Sequence, residues 1–195
     1  MRRPRPPFIP KRRIERRAER LLQEYGRLEA APPVPVEDIL ERHLGLSLAF
    51  EDLTAVLGRD DVLGATWLDT AEVVIDHRLD PGLHPEAEGR YRFTVAHEIG
   101  HWLLHAPDDD GGAGGAPLHR RRSEKDPLEW QADYFAACLL MPRDMVVPAW
   151  HEEQRGAAAG AEATPTARLA RRFAVSEQAM RIRLEDLQLA GGGER

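Results

Sequence analysis

The residues best suited to chemistry stand together in the stretch RFTVAHEIGHWLLH, residues 92–105. It contains H-E-x-x-H, as His97, Glu98 and His101. On a helix, residues four apart project from one face, one turn apart. The two imidazoles are therefore set for two corners of a tetrahedral zinc site, and manganese or another divalent ion suits the same donors. Glu98, directly after the first histidine, is placed to take a proton from water as a general base. Val95, Ile99 and Trp102 recur at i, i+4 and i+7, the apolar stripe that turns such a helix toward a core.

A third ligand must come from elsewhere. His105 is the next step of four, but two turns from His97 is too far to close one small tetrahedron on a straight helix. It reads as a helix-end histidine facing the last carbonyls. A metzincin pattern fails, because Leu104 stands where its glycine belongs and Pro107 where its third histidine belongs. The better ligand is Glu129, at the head of Glu129-Trp130-Gln131-Ala132-Asp133. Glu129 and Asp133 share a helix face, so one carboxylate can bind metal while Asp133 accepts the free N–H of His97. Glu129 also has a structural reading: with Asp126 as N-cap it occupies the capping-box position. A His-His-Glu set leaves a fourth position for water, the mark of a catalytic rather than a structural zinc.

The elements that position these residues are legible in part. Ile14, Ala18, Leu21, Leu22 and Tyr25 have helical spacing, with Gly26 as a stop. A short helix is expected from Val36 to Leu44 and a strand over residues 46–50. Residues 62–68 and 72–76 read as a hairpin joined by Asp69-Thr70-Ala71. The H-E-x-x-H helix is expected from Arg90 to His105, and Asp126-Pro127 opens the next one. The acidic, Gly-rich run over 107–116 has no core-forming capacity and reads as a flexible loop. Thr164-Pro165 and Ser176 cap two final helices. His77 and His84 read as exposed loop histidines, and Cys138, in an apolar run, as a buried inert thiol.

The chain has 195 residues, a net charge of −6 and 42% hydrophobic residues, enough for one main domain with a real core. No apolar run approaches a membrane span, and the basic N-terminal stretch, which has no apolar h-region, does not read as a secretory signal. One cysteine excludes an intramolecular disulfide framework and fits a reducing cytoplasm. The negative balance excludes a general polyanion binder, although residues 2–20 carry nine Arg and Lys against two Glu.

The stretches RFTVAHEIGH (92–101), EWQADYFAACLLMP (129–142), LARRFAVS (169–176) and AMRIRL (179–184) together resemble the ImmA/IrrE family of metallopeptidases. The resemblance runs from about Ile14 to Leu189. It implies an α+β fold: a zincin-like core of helices packed on a small sheet, followed by helix-turn-helix-like helices. It implies zinc on His97, His101 and Glu129, with Glu98 as base. It also implies a substrate class, helix-turn-helix transcriptional repressors cut to release stress-response or mobile-element genes. Asp133 stands where many relatives have Asn; either can accept from an imidazole. The run over 107–116 reads as an insertion, and no sensor domain is expected beyond Arg195. The expected layout is a basic tail over 1–13, a metallopeptidase domain over 14–150, a linker over 151–163 and the C-terminal helices over 164–190.

The rival reading is a DNA-binding regulator with a vestigial or structural metal site. Arg181 and Arg183 would lie on its reading helix. That helix also carries Glu177, Glu185 and Asp186, a thin footprint for DNA, so direct binding is expected to be weak or absent and the pair is read as a protein contact. Arg92, His84 and Tyr91 are candidates for steadying a developing oxyanion.

Overall fold

The computed structural model describes residues 8–26, 32–105, 118–121, 126–155 and 163–190. The 107–116 loop lies outside them, as do residues 1–7 of the expected tail and most of the expected linker. The first helix, α1 (Lys11–Tyr25), buries Ile14, Ala18, Leu21 and Leu22 as one stripe. It begins inside the stretch expected to be tail, because the Pro10 carbonyl already accepts from Arg13 and Ile14 and Ile14 is anchored in the core. Gly26 ends it in the left-handed region at φ 81°. A short α2 (Val36–Asp38) continues as a π-turn to His43 and delivers Val36, Ile39 and Leu40 to the same core.

Among the described residues four strands make the sheet: β1 (Ser47–Glu51), β2 (Val62–Trp67), β3 (Glu72–Asp76) and β4 (Leu118–Arg121), in the order β1-β3-β2-β4. β1 runs parallel to β3, while β2 runs antiparallel to both β3 and β4. The expected hairpin is present, with Gly64 opposite Ile75 and Trp67 opposite Glu72. β4 is an addition to the sequence reading. Alternation in β3 splits the apolar surface. Val73 and Ile75 join the main core, whereas Val74 meets Leu53 and Val62 in a small second cluster under α3 (Leu53–Leu57).

The main core lies between the sheet and the pair α4 (Glu88–His105) and α5 (Pro127–Leu140). These two helices touch where Gly100 faces Ala132: a Cβ at Gly100 would stand 3.2 Å from the Ala132 Cα and from the Phe135 ring. α6 (Arg143–Arg155) carries helix into the expected linker, anchored by buried Val146 and Ala149. α7 (Pro165–Phe173) and α8 (Glu177–Asp186) are capped by Thr164 and Ser176 as the sequence indicates. Leu169, Phe173, Met180, Leu184 and Leu187 belong to the same core as α4 and α5. The C-terminal pair is thus packed into the domain rather than appended to it.

The rival reading placed Arg183 on a DNA-reading helix. Arg183 does not face outward to read a groove; it is 1% exposed. Its Nε donates to the Met141 carbonyl at 3.0 Å, and its two terminal nitrogens donate to Asp186 at 3.2 Å and Glu15 at 3.0 Å. The guanidinium joins α8 to α1 and to the end of α5. No described helix is long and apolar enough to cross a membrane.

Candidate metal centre

α4 and α5 bring the H-E-x-x-H residues and Glu129 to one point. His97 and His101 are fully buried, and their Nε2 atoms stand 3.0 Å apart. The Glu129 carboxylate closes the triangle, 3.4 Å from His97 Nε2 and 3.3 Å from His101 Nε2. The Asp126 cap accepts from the Leu128 N–H at 2.9 Å, while Glu129 turns its carboxylate to the two imidazoles. Burial works against the Glu129 charge, yet His101 and His97 hold its carboxyl far below the usual range.

The outer partners decide which imidazole nitrogens carry protons. His97 Nδ1 lies 2.9 Å from Asp133 Oδ1, so that nitrogen bears the hydrogen. His101 Nδ1 lies 3.0 Å from His105 Nδ1, and His105 Nε2 lies 3.3 Å from Gln131 Oε1. The Gln131 oxygen can only accept, so His105 donates from Nε2 and accepts from His101 at Nδ1. Burial and the neighbouring His101 push His105 down to about 4, which keeps it neutral for both roles. His105 therefore orients His101, and does not face the helix-end carbonyls as its position suggested.

With those hydrogens assigned, both Nε2 lone pairs and a carboxylate point into one space. Two lone pairs 3.0 Å apart repel unless something positive lies between them. Ligands at about 2.0–2.1 Å from a tetrahedral zinc stand about 3.3 Å from one another, close to the three separations found. Without a cation the site makes the same demand of a proton. Burial pushes the His97 imidazole down, but Asp133 and Glu129 outweigh it and hold it up at about 9. The donor set fits a divalent ion with nitrogen and oxygen preferences.

Glu98 lies beside this triangle, fully buried. Thr66 on β2 donates to its Oε2 at 2.7 Å, while Oε1 has no hydrogen-bond partner among the described residues. Burial pushes its carboxyl up, against the pull of His101 and His97. Gly64, also on β2, leaves room for it: a Cβ there would stand 2.7 Å from Glu98 Oε1. Gly64, Thr66, Gln131 and the orienting role of His105 were not found from sequence. A glycine inside a strand is the one available signal, since it often marks a close approach.

The other singled-out residues are placed elsewhere. Arg92 donates to the carbonyls of Ala174 and Val34, and Tyr91 is buried against the Phe50 ring. His84 lies 3.4 Å from Glu86 on the surface. Asp52, Asp76 and His77 form a second cluster of donors, but the Asp76 oxygens already accept from Arg78 and from the Leu53 N–H. Burial pushes the Cys138 thiol up to about 12, so it is inert. A groove of about 670 Å³ between α4, α5 and α8 is lined by Asp133, the partner of His97 Nδ1, and by Thr94.

Comparison with known proteins bears on the fold and on the family. Among solved structures, a Mycobacterium tuberculosis transcriptional regulator superposes with a TM-score of 0.56 at 18% identity, over 88% of this chain and 46% of that one. That identity speaks for the fold alone, and this chain spans about half the length of that protein. Among curated proteins none matches the chain. The family model Peptidase_M78, described as the IrrE N-terminal-like domain, matches residues 44–185. That span holds His97, Glu98, His101, Glu129 and Asp133, and the sheet that supports them. The chain belongs to the IrrE N-terminal-like domain family, Peptidase_M78, a family of metallopeptidases.

Proposed function

We propose that this chain is a zinc-dependent endopeptidase that cuts a helix-turn-helix transcriptional repressor and so releases stress-response or mobile-element genes. One observation carries the peptidase part: the two Nε2 lone pairs and the Glu129 carboxylate converge beside a buried glutamate, one oxygen of which has no hydrogen-bond partner among the described residues. His97, His101 and Glu129 would hold the ion, and Asp133 and His105 would fix the two imidazoles. Manganese or another divalent ion would use the same donors. Bound zinc supplies Lewis acidity, which polarises a peptide carbonyl and makes water easier to deprotonate.

Glu98 is the group that moves protons. It takes one from the attacking water at Oε1 and returns it to the nitrogen of the leaving peptide. Thr66 donates to Oε2, so Oε1 is the oxygen left to take that proton. Burial raises the Glu98 carboxyl toward the range where it can both accept and release a proton. The repressor part rests on family membership and on the resemblance of the motifs. Direct DNA binding would be weak, because Arg183, one of two basic residues available to the last helix as a reader, is spent on Glu15, Asp186 and Met141. A cytoplasmic location is consistent with a single, buried cysteine.

The test incubates the zinc-loaded chain, the metal-stripped chain and zinc-loaded Glu98→Gln with the helix-turn-helix repressor encoded beside it. A single cut by the loaded wild type is expected. Glu98→Gln should keep its metal and lose about 10²–10⁴-fold in rate. Equal cleavage by Glu98→Gln would remove Glu98 from the mechanism. An intact repressor in the presence of folded, loaded wild type would remove it as the substrate.

A further inference from the structure

We propose that the outer face of α1, with the last turn of α4, is a docking surface for an acidic segment of a partner protein, in which carboxylates flank an apolar side chain. Such docking needs neither a metal nor cleavage. One side of α1 carries Arg13, Arg16, Arg17 and Arg20, all exposed; seven residues of helix spread them over about 10 Å. With Ile9, just before the helix, and Leu103 and Leu104 of α4, they line a groove of about 320 Å³.

The sequence puts cations here at a cost to the helix. Six Arg and Lys stand against two Glu over residues 11–20, in a chain of net charge −6. The first turn of α1 holds no acidic residue, and Pro10 provides no side-chain cap. Cations near a helix N-terminus oppose its dipole. Like charges four apart, as Arg13 with Arg17 and Arg16 with Arg20, repel. Neighbouring charges do little to relieve this: Glu15 is taken by Arg183, and Lys11 is drawn off to Asp186. Of the four arginines, only Arg20 has an ion-pair partner among the described residues, Glu24 at 2.7 Å. Departures of this kind from the rules of helix design concentrate at functional surfaces.

Charge and shape together select the occupant. A guanidinium can take a carboxylate through two parallel hydrogen bonds. Half-buried Leu103 and Leu104, with Ile9, give the same groove an apolar wall. Its volume admits one or two side chains, at the small end of binding pockets. An acidic segment with a Leu among its carboxylates satisfies both parts. A nucleic acid or an anionic bilayer fits less well. Either extends past the patch, by more than the Debye length of about 8 Å, over a chain whose overall charge is negative. A bilayer also gains no insertion, because the apolar stripe of α1 is buried in the core.

The experiment uses the full chain and measures fluorescence anisotropy of a labelled peptide in which Leu alternates with Asp and Glu. One companion peptide has Asn and Gln in place of the acids, and another has Ser in place of Leu. The acidic Leu peptide should bind, less tightly as salt rises, and each companion about tenfold more weakly. Arg13→Glu plus Arg17→Glu should cost about tenfold in affinity. Its melting temperature should be unchanged or higher, because an acid in the first turn suits the helix dipole. Arg90→Glu plus Arg181→Glu makes the same change in net charge at exposed residues of α4 and α8, and should leave the affinity as it is. No binding of the acidic peptide, equal binding of either companion, or an equal loss in both double variants would overturn the proposal. Tighter binding of a single-stranded oligonucleotide or of phosphatidylserine vesicles would overturn it in favour of a nucleic acid or a membrane. A gain in affinity on Asp108→Asn, Asp109→Asn and Asp110→Asn together would overturn it in favour of the chain's own acidic run.

Discussion

Gly64→Ala is the most economical test of how β2 serves the site. The added methyl would stand 2.7 Å from Glu98 Oε1, 2.7 Å from Thr94 Cγ2 and 3.2 Å from Glu98 Cδ. Ordinary contact begins at 3.4 Å, so each of the two closest atoms must give way by about 0.7 Å. Neither is free to do so. Glu98 is held by Thr66 at 2.7 Å, and the Thr94 hydroxyl donates to the Arg90 carbonyl at 2.9 Å. Overpacking of this kind costs about 1–3 kcal/mol, which for a domain of this size lowers the melting temperature by about 2–12 °C. Displacing a catalytic group by most of an ångström costs about a hundredfold in kcat/KM. The metal ligands lie outside the clash, so bound zinc should remain stoichiometric. The assay pairs differential scanning calorimetry and elemental analysis with kcat/KM on the repressor. An unchanged melting temperature with unchanged kcat/KM would refute the close approach of β2 to Glu98; loss of metal would refute its separation from the ligands.

Further outcomes follow from the same geometry. Replacing His97, His101 or Glu129 by Ala should each abolish stoichiometric zinc, whereas His105→Ala and Asp133→Ala should keep the stoichiometry and weaken affinity about 10–100-fold; competition with a chromogenic chelator reads both, and an unchanged affinity in His105→Ala would break the proposed contact with His101. Burial opposes the Asp76 charge, but Arg78 and the Leu53 N–H more than offset it and hold the carboxyl below its usual range. A depressed folded pKa gives stability that is present above the ordinary carboxylate range and lost as pH falls through the folded value. The stability gap between wild type and Asp76→Asn in urea melts should therefore be widest near neutral pH and close in acid, and a gap that widens in acid would reverse the assignment.

The parts of the molecule that were legible in the sequence are those whose signals are local. The β2–β3 hairpin follows from alternation on either side of Asp69-Thr70-Ala71, and α5 starts where Asp126-Pro127 announces it. The spacing of His97, Glu98 and His101 is likewise a property of one helix. What escaped depends on distant partners. Thr66 and Glu98 are 32 residues apart, and no periodicity links them. β4 is short and basic, and its strand character comes only from pairing with β2. α6 was hidden because Pro148 interrupts its helical pattern and because the polar run His151-Glu152-Glu153-Gln154-Arg155 falls in the stretch read as linker.

Arg183 shows why charge is a poor guide to exposure, and it bears on what the C-terminal helices do. Its partner Glu15 is 168 residues away, so the sequence offers only a basic residue on a short helix after a turn, the outline of a DNA reader. Buried, the same guanidinium holds α1, α5 and α8 together. Arg183→Ala would leave the Glu15 and Asp186 carboxylates facing each other without it, although Lys11 still reaches Asp186. Breaking a buried pair costs about 3–5 kcal/mol; both carboxylates keep some solvent contact, which places this site near the lower end, about 3 kcal/mol, or a fall in melting temperature of about 6–12 °C. Arg181, exposed two residues earlier, should show almost none of this. A DNA reader would behave in the opposite sense, with Arg183→Ala leaving the melt unchanged and reducing the salt dependence of DNA binding by about one unit of slope. A large loss of stability instead ties α8 to the core, and leaves its outward face, with Ile182, for a protein.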